Sequence, residues 1–127
     1  MSTLIAYATK YGCAEKLAKT LAERLNGESD LCDLQKDRKV DPAAYDTVIV
    51  GGSFYMGRIM KQVTAFCQKH ADTLRQKKTG FFLSAMAEGE DIEKELNASF
   101  PEELRQSALA VECFGGECVI SKLKPMH

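Results

Sequence analysis

A chain of 127 residues with 45% hydrophobic content can build one ordinary core and not two, so a single domain over residues 1–127 is expected. With 17 basic and 18 acidic residues the net charge is −1, which makes nucleic acid a poor partner. Five cysteines (Cys13, Cys32, Cys67, Cys113 and Cys118) form no CxxC pair, which argues against a disulfide framework or a zinc site and leaves most of them as small buried hydrophobes.

The elements alternate along the chain. Thr3 to Ala8 reads as a short buried strand, after which Ala14, Leu17, Ala18, Leu21, Ala22 and Leu25 recur at helical spacing until Asn26-Gly27 stops the helix. Ser29 to Leu34 has the mixed polarity of an edge strand, and Gln35 to Ala44 is a polar connection. Thr47 to Val50 is a β-branched run suited to burial on both faces, ending at Gly51-Gly52. A helix carrying Ile59, Val63, Phe66, Cys67, His70 and Leu74 on one face follows, then a strand from Thr79 to Ser84. Between Ala85 and Gln106, Pro101 interrupts Ile92, Leu96 and Leu104, which predicts two short helical pieces. Leu109 to Phe114 is the fifth strand.

Charge is segregated within this pattern. Six basic residues against Asp72 alone lie between Arg58 and Lys78, and seven acids against Lys94 alone lie between Glu88 and Glu103. Such patches either steer a charged partner or are two solvated helix faces. No run approaches the roughly 18 apolar residues of a membrane span, and the start lacks the basic-then-apolar order of a signal peptide. A cytoplasmic location is therefore expected.

Strands alternating with helices imply right-handed crossovers and a doubly wound parallel α/β sheet. Ligands of such sheets bind beyond the C-terminal strand ends, where the strand order reverses. Three loops are expected to meet there: Thr9 to Cys13, Ser53 to Gly57, and Ser84 to Gly89. A turn leading from a strand into a helix presents free N–H groups and the positive end of the helix dipole, which together favour an anion. Thr9 supplies a hydroxyl, Gly12 allows close approach, and Lys10 adds charge, in a turn without GxxxxGK[ST] or GxGxxG. The alternative is that Thr9 merely caps the helix. Cys13 sits where a helix dipole lowers a thiol pKa, but a phosphatase-type loop needs an arginine six positions on, and residue 19 is Lys. His70 and His127 have no credible acid/base partner. No metal ligand set or catalytic side chain is identified.

Tyr7-Ala8-Thr9-Lys10-Tyr11-Gly12-Cys13-Ala14 resembles the FMN phosphate-binding fingerprint of flavodoxins, with Ala14 where a threonine is usual. The similarity continues through YDTVIVGGSFYMGRIMKQVTAFCQKHADTL and FFLSAM. It resembles most closely the flavodoxin-like branch containing menaquinone-dependent protoporphyrinogen IX dehydrogenase. The resemblance implies a flavodoxin-like five-stranded sheet of order 2-1-3-4-5 and FMN as cofactor. It also implies that Thr9, Lys10, Tyr11, Gly12, Cys13 and Ala14 hold the phosphate through the Thr9 hydroxyl and backbone amides. Ser53, Phe54, Tyr55, Met56 and Gly57 would flank one side of the flavin ring, with Phe54 or Tyr55 stacking, and Ser84, Ala85 and Met86 would border the other. Tyr55 and Met56 serve equally well as core or rim residues.

Only nine residues, VISKLKPMH, follow Cys118, and Pro125 discourages a helix. The final helix is therefore expected to be missing, as in a truncated chain. That would expose one face of the sheet near the first and fifth strands unless the tail, a second subunit or an absent downstream segment covers it. Two functions follow from the resemblance: flavin-dependent oxidation of a porphyrinogen with a quinone acceptor, or a small electron carrier with no substrate of its own. A receiver domain would need acidic residues where Ala8-Thr9 and Gly51-Gly52-Ser53 stand.

Overall fold

The computed structural model describes residues 2–9, 13–24, 28–36, 40–55, 58–84, 94, 98–100, 102–108 and 110–114. The first strand, β1 (Ser2–Ala8), leads into helix α1 (Cys13–Arg24) and then β2 (Glu28–Asp33). A single 3-10 turn, Pro42–Ala44, precedes β3 (Thr47–Tyr55), and β4 (Arg58–Ile59) folds back on it. Helices α2 (Lys61–Lys69) and α3 (Ala71–Arg75) come next, followed by β5 (Lys78–Ser84), α4 (Glu102–Ser107) and β6 (Ala110–Phe114).

The strand order is β2-β1-β3-β5-β6, and all four pairings along that path are parallel. Discounting the short β4, this is the expected 2-1-3-4-5 order. The order reverses between β1 and β3, whose ends align with Ala8 opposite Gly52. On the other side of β3, Ser53 lies opposite Ser84.

Two apolar layers clothe the sheet. On one face Ala14, Leu17, Ala18 and Leu21 of α1 pack with Ile5, Tyr7, Ile49 and Phe82, as their helical spacing predicts. On the other, Val63, Phe66, Cys67, Leu74, Phe100 and Leu104 pack on Leu4, Ala6, Val48, Val50, Phe81 and Leu83. Burying each large side chain contributes about 1.5–3 kcal/mol, so both layers are needed to hold the central strands.

Three expectations require correction. β3 does not stop at the double glycine but runs through it to Tyr55, because the parallel ladder with β5 continues to Ser53. Gly51 is required there by the Phe82 ring, which would lie 2.1 Å from an added Cβ. Ser53, Phe54 and Tyr55 are therefore strand residues, and Tyr55 pairs with Arg58 in a tight antiparallel hairpin. The helix predicted from Ile59 to Leu74 divides at His70, and Ile59 belongs to β4. On the α1 side, Ile5 of β1 is 0% and Phe82 of β5 1% exposed. Residues 115–127, on which the missing-helix expectation rests, lie outside the described residues.

The segregated charges partly meet each other. Arg75 on α3 reaches Glu103 on α4 at 2.8 Å and also pairs with Asp72. Cys32 and Cys67 are buried and form no disulfide, and burial pushes the Cys67 thiol pKa up to about 12.

Candidate functional site

Three strand ends converge at the switch point. β1 ends at Ala8, β3 continues past Gly52 into its hairpin, and β5 ends at Ser84. Thr9, the first residue beyond β1, is half-buried. Its hydroxyl oxygen accepts the Ala14 N–H at 3.2 Å, bridging the turn to the second residue of α1. The capping alternative is thus realised from five residues away. With its oxygen engaged as an acceptor, the hydroxyl proton of Thr9 is the part left to donate to an anion.

Two backbone amides expected to bind phosphate are occupied. Ala14 N–H goes to Thr9, and Thr9 N–H donates to Gln35 Oε1 at 3.0 Å. The Ala14 methyl is fully buried in the α1 layer, so this position contributes packing and no hydroxyl. Cys13 is the first residue of α1. Lys10, Tyr11 and Gly12 lie outside the described residues, as do Met56, Gly57, Ala85 and Met86.

Ser53 and Ser84 are 5% and 4% exposed, adjacent across the β3–β5 ladder at the strand ends. Met60 N–H donates to Ser53 O at 3.0 Å, which anchors the hairpin of Phe54 and Tyr55 to the strand it leaves. Upstream of Thr9, burial raises the Tyr7 phenol pKa, and Glu15 and Asp33 add to the shift. Tyr7 is therefore a neutral core residue beneath the turn. Gln35 was missed by sequence reasoning, because a polar residue in a polar connection carries no periodic signal.

Among the described residues, no group of three or more His, Cys, Asp or Glu side chains is set to hold a metal ion. No helix among them is long and apolar enough to cross a membrane.

Taken together, the reversal between β1 and β3, the Thr9–Ala14 link between β1 and α1 and the strand ends beside it define a doubly wound α/β protein whose switch point lies where β1 leads into α1. Residues 4–127 match the flavodoxin domain family, and the chain belongs to that family, whose members are FMN-binding flavoproteins. No curated protein sequence matches. Among solved structures, a flavodoxin from the domain Archaea superposes with a TM-score of 0.66 at 16% identity, covering 91% of this chain and 83% of that one. The two-electron reduced flavodoxin of Megasphaera elsdenii gives 0.64 at 16% identity, covering 91% of this chain and 86% of that one. Oxidised Flavodoxin 2 from Bacillus cereus gives 0.60 at 22% identity, covering 90% and 86%. At these identities the structures establish a shared fold.

Proposed function

We propose that this chain is a single-domain, cytoplasmic redox protein that binds FMN at the β1–α1 turn and exchanges electrons with a partner. The observation that carries this reading is the Thr9 hydroxyl. It is fixed by the Ala14 N–H at 3.2 Å, at the mouth of a 12-residue helix and at the sheet's switch point. The residues fit the phosphate of the cofactor: a preset hydroxyl donor, a helix dipole of favourable sign, and no carboxylate between Ala8 and Ala14. Bound FMN supplies the redox chemistry, accepting one or two electrons and passing them on.

The chain's own residues bind and orient. Thr9, Lys10, Tyr11, Gly12, Cys13 and Ala14 form the phosphate turn, with Thr9 as the side-chain donor. Ser53, Phe54, Tyr55, Met56 and Gly57 form one wall beside the ring, and Phe54 and Tyr55 of that wall are paired with Ile59 and Arg58 of β4. Ser84, Ala85 and Met86 border the other wall.

Within this reading we assign the substrate pair suggested by the resemblance of residues 45–74, a porphyrinogen as electron donor and a quinone as acceptor. The support for it is the sequence resemblance carried by the GGSFYMG segment, residues 51–57. Without such a substrate the same site serves as an electron carrier, and an assay of porphyrinogen oxidation with and without quinone separates the two.

The primary test is a fluorescence titration of the flavin-free protein with FMN, with riboflavin as control. Saturable FMN binding is expected, with riboflavin much weaker and Thr9→Ala weakened roughly tenfold toward FMN alone, the loss of one charge-assisted hydrogen bond. A folded protein that binds neither flavin would refute the redox reading.

A further inference from the structure

In a parallel ladder the backbone donors of one strand fall on alternate residues. β1 and β2 are in register to Tyr7 opposite Asp33, and Leu34 N–H donates to Tyr7 O at 2.7 Å. The next donor of β1 toward that edge is Thr9 N–H. Its backbone acceptor is lost because the chain turns away, with Lys36 N–H bonded to Asp33 O at 2.9 Å. Gln35 fills the gap: its side-chain oxygen accepts the Thr9 N–H at 3.0 Å. The base of that side chain is itself fixed, since Gln35 N–H donates to Asp33 Oδ1 at 2.9 Å.

We propose that Gln35 is a positioning residue of the phosphate turn, extending the β1–β2 ladder by one side-chain rung so that Thr9 is held in the orientation that presents its hydroxyl. This rests on the FMN reading above. Thr9 is thereby restrained at two points, its N–H by Gln35 and its side-chain oxygen by Ala14 N–H. The restraint matters more here than where residue 14 carries a hydroxyl, because Ala14 offers no second hydroxyl to share the phosphate with Thr9. The amide type also matters. Glutamine accepts the Thr9 N–H without placing a negative charge beside a phosphate, whereas glutamate would accept it and repel the ligand.

The test uses the full chain and two variants, Gln35→Met and Gln35→Glu. In the flavin-free protein, hydrogen exchange of the Thr9 amide, followed by NMR, is expected to speed up roughly three- to tenfold in Gln35→Met, the loss of one ordinary hydrogen bond, and to stay slow in Gln35→Glu. In titrations Gln35→Met should weaken FMN by a similar factor and leave riboflavin unchanged. Gln35→Glu should weaken FMN at low salt and recover as salt screens the added charge. Unchanged Thr9 exchange and FMN affinity in Gln35→Met would overturn the proposal, as would equal losses for FMN and riboflavin, which would indicate general damage. If the wild-type chain binds no FMN, the cofactor reading falls and takes the phosphate role of Gln35 with it. The exchange result then decides alone whether Gln35 holds Thr9.

Discussion

Single atoms decide what the middle of the sheet tolerates. A Cβ added at Gly51 would sit 2.1 Å from two ring carbons of Phe82 and 2.2 Å from a third, and one at Gly52 would sit 2.7 Å from Val63 Cγ2 and 3.1 Å from the Ala8 carbonyl oxygen. Phe82 is 1% exposed and closely packed, so its ring can yield only by disturbing the α1 layer. Gly51→Ala is therefore expected to lower stability by about 1–3 kcal/mol, read as a fall in the urea midpoint at unchanged slope. Adding Phe82→Leu should recover part of that loss. Absence of any recovery would place the cost in the strand backbone instead. The pair also explains why the double glycine ends no strand: here glycine serves close packing between neighbouring strands, not a turn.

At the scale of elements, the division of the long apolar face into α2 and α3 centres on His70. Its backbone caps α2 through Phe66 O at 3.0 Å, and its ring packs on Phe66 with centroids 4.8 Å apart. The ring nitrogen Nε2 is buried with no hydrogen-bond partner among the described residues, and burial lowers the imidazole pKa from its ordinary value, with Lys69 adding to the shift and Asp41 opposing it. A histidine whose folded pKa is depressed favours the folded state while neutral. The stability it contributes is present above its ordinary value of 6.5 and is lost as pH falls through the lower folded value. Accordingly, the urea midpoint should fall between about pH 7.5 and about pH 5, and should fall less in His70→Gln. Equal falls in the two proteins would assign the acid sensitivity to other groups. The ion pair of Arg75 with Glu103 lies on the surface between α3 and α4, where such pairs contribute about 1 kcal/mol or less. It nevertheless shows that part of the charge segregation is met within the molecule.

For the whole molecule, the site and the fold share a support. Thr9 ties β1 to α1 through Ala14 and to the end of β2 through Gln35, so a ligand held by the turn braces three elements at once. FMN at about a hundred times its dissociation constant is expected to stabilise the folded chain by about 2.7 kcal/mol, seen as a rise in Tm of several degrees. Riboflavin at the same concentration should give a much smaller rise, and Thr9→Ala should reduce the FMN shift. Equal shifts for the two flavins would mean that the phosphate turn contributes nothing to binding.

Local patterns made much of this legible. The spacing of Ala14, Leu17, Ala18 and Leu21 specified the buried face of α1, because a helix must bury its apolar stripe whatever lies opposite. The β-branched run at Thr47 and the alternation of strands with helices specified a parallel sheet, and the change of pattern at Thr9 marked where β1 gives way to α1, since both follow from backbone geometry near in sequence. Contacts distant in sequence escaped that reading. The passage of β3 through Gly51-Gly52 depends on Phe82, and the hold on Thr9 depends on Gln35, 26 residues away. Neither can be inferred from neighbouring residues, because each partner is chosen by strand register, and register exists only once the sheet has assembled.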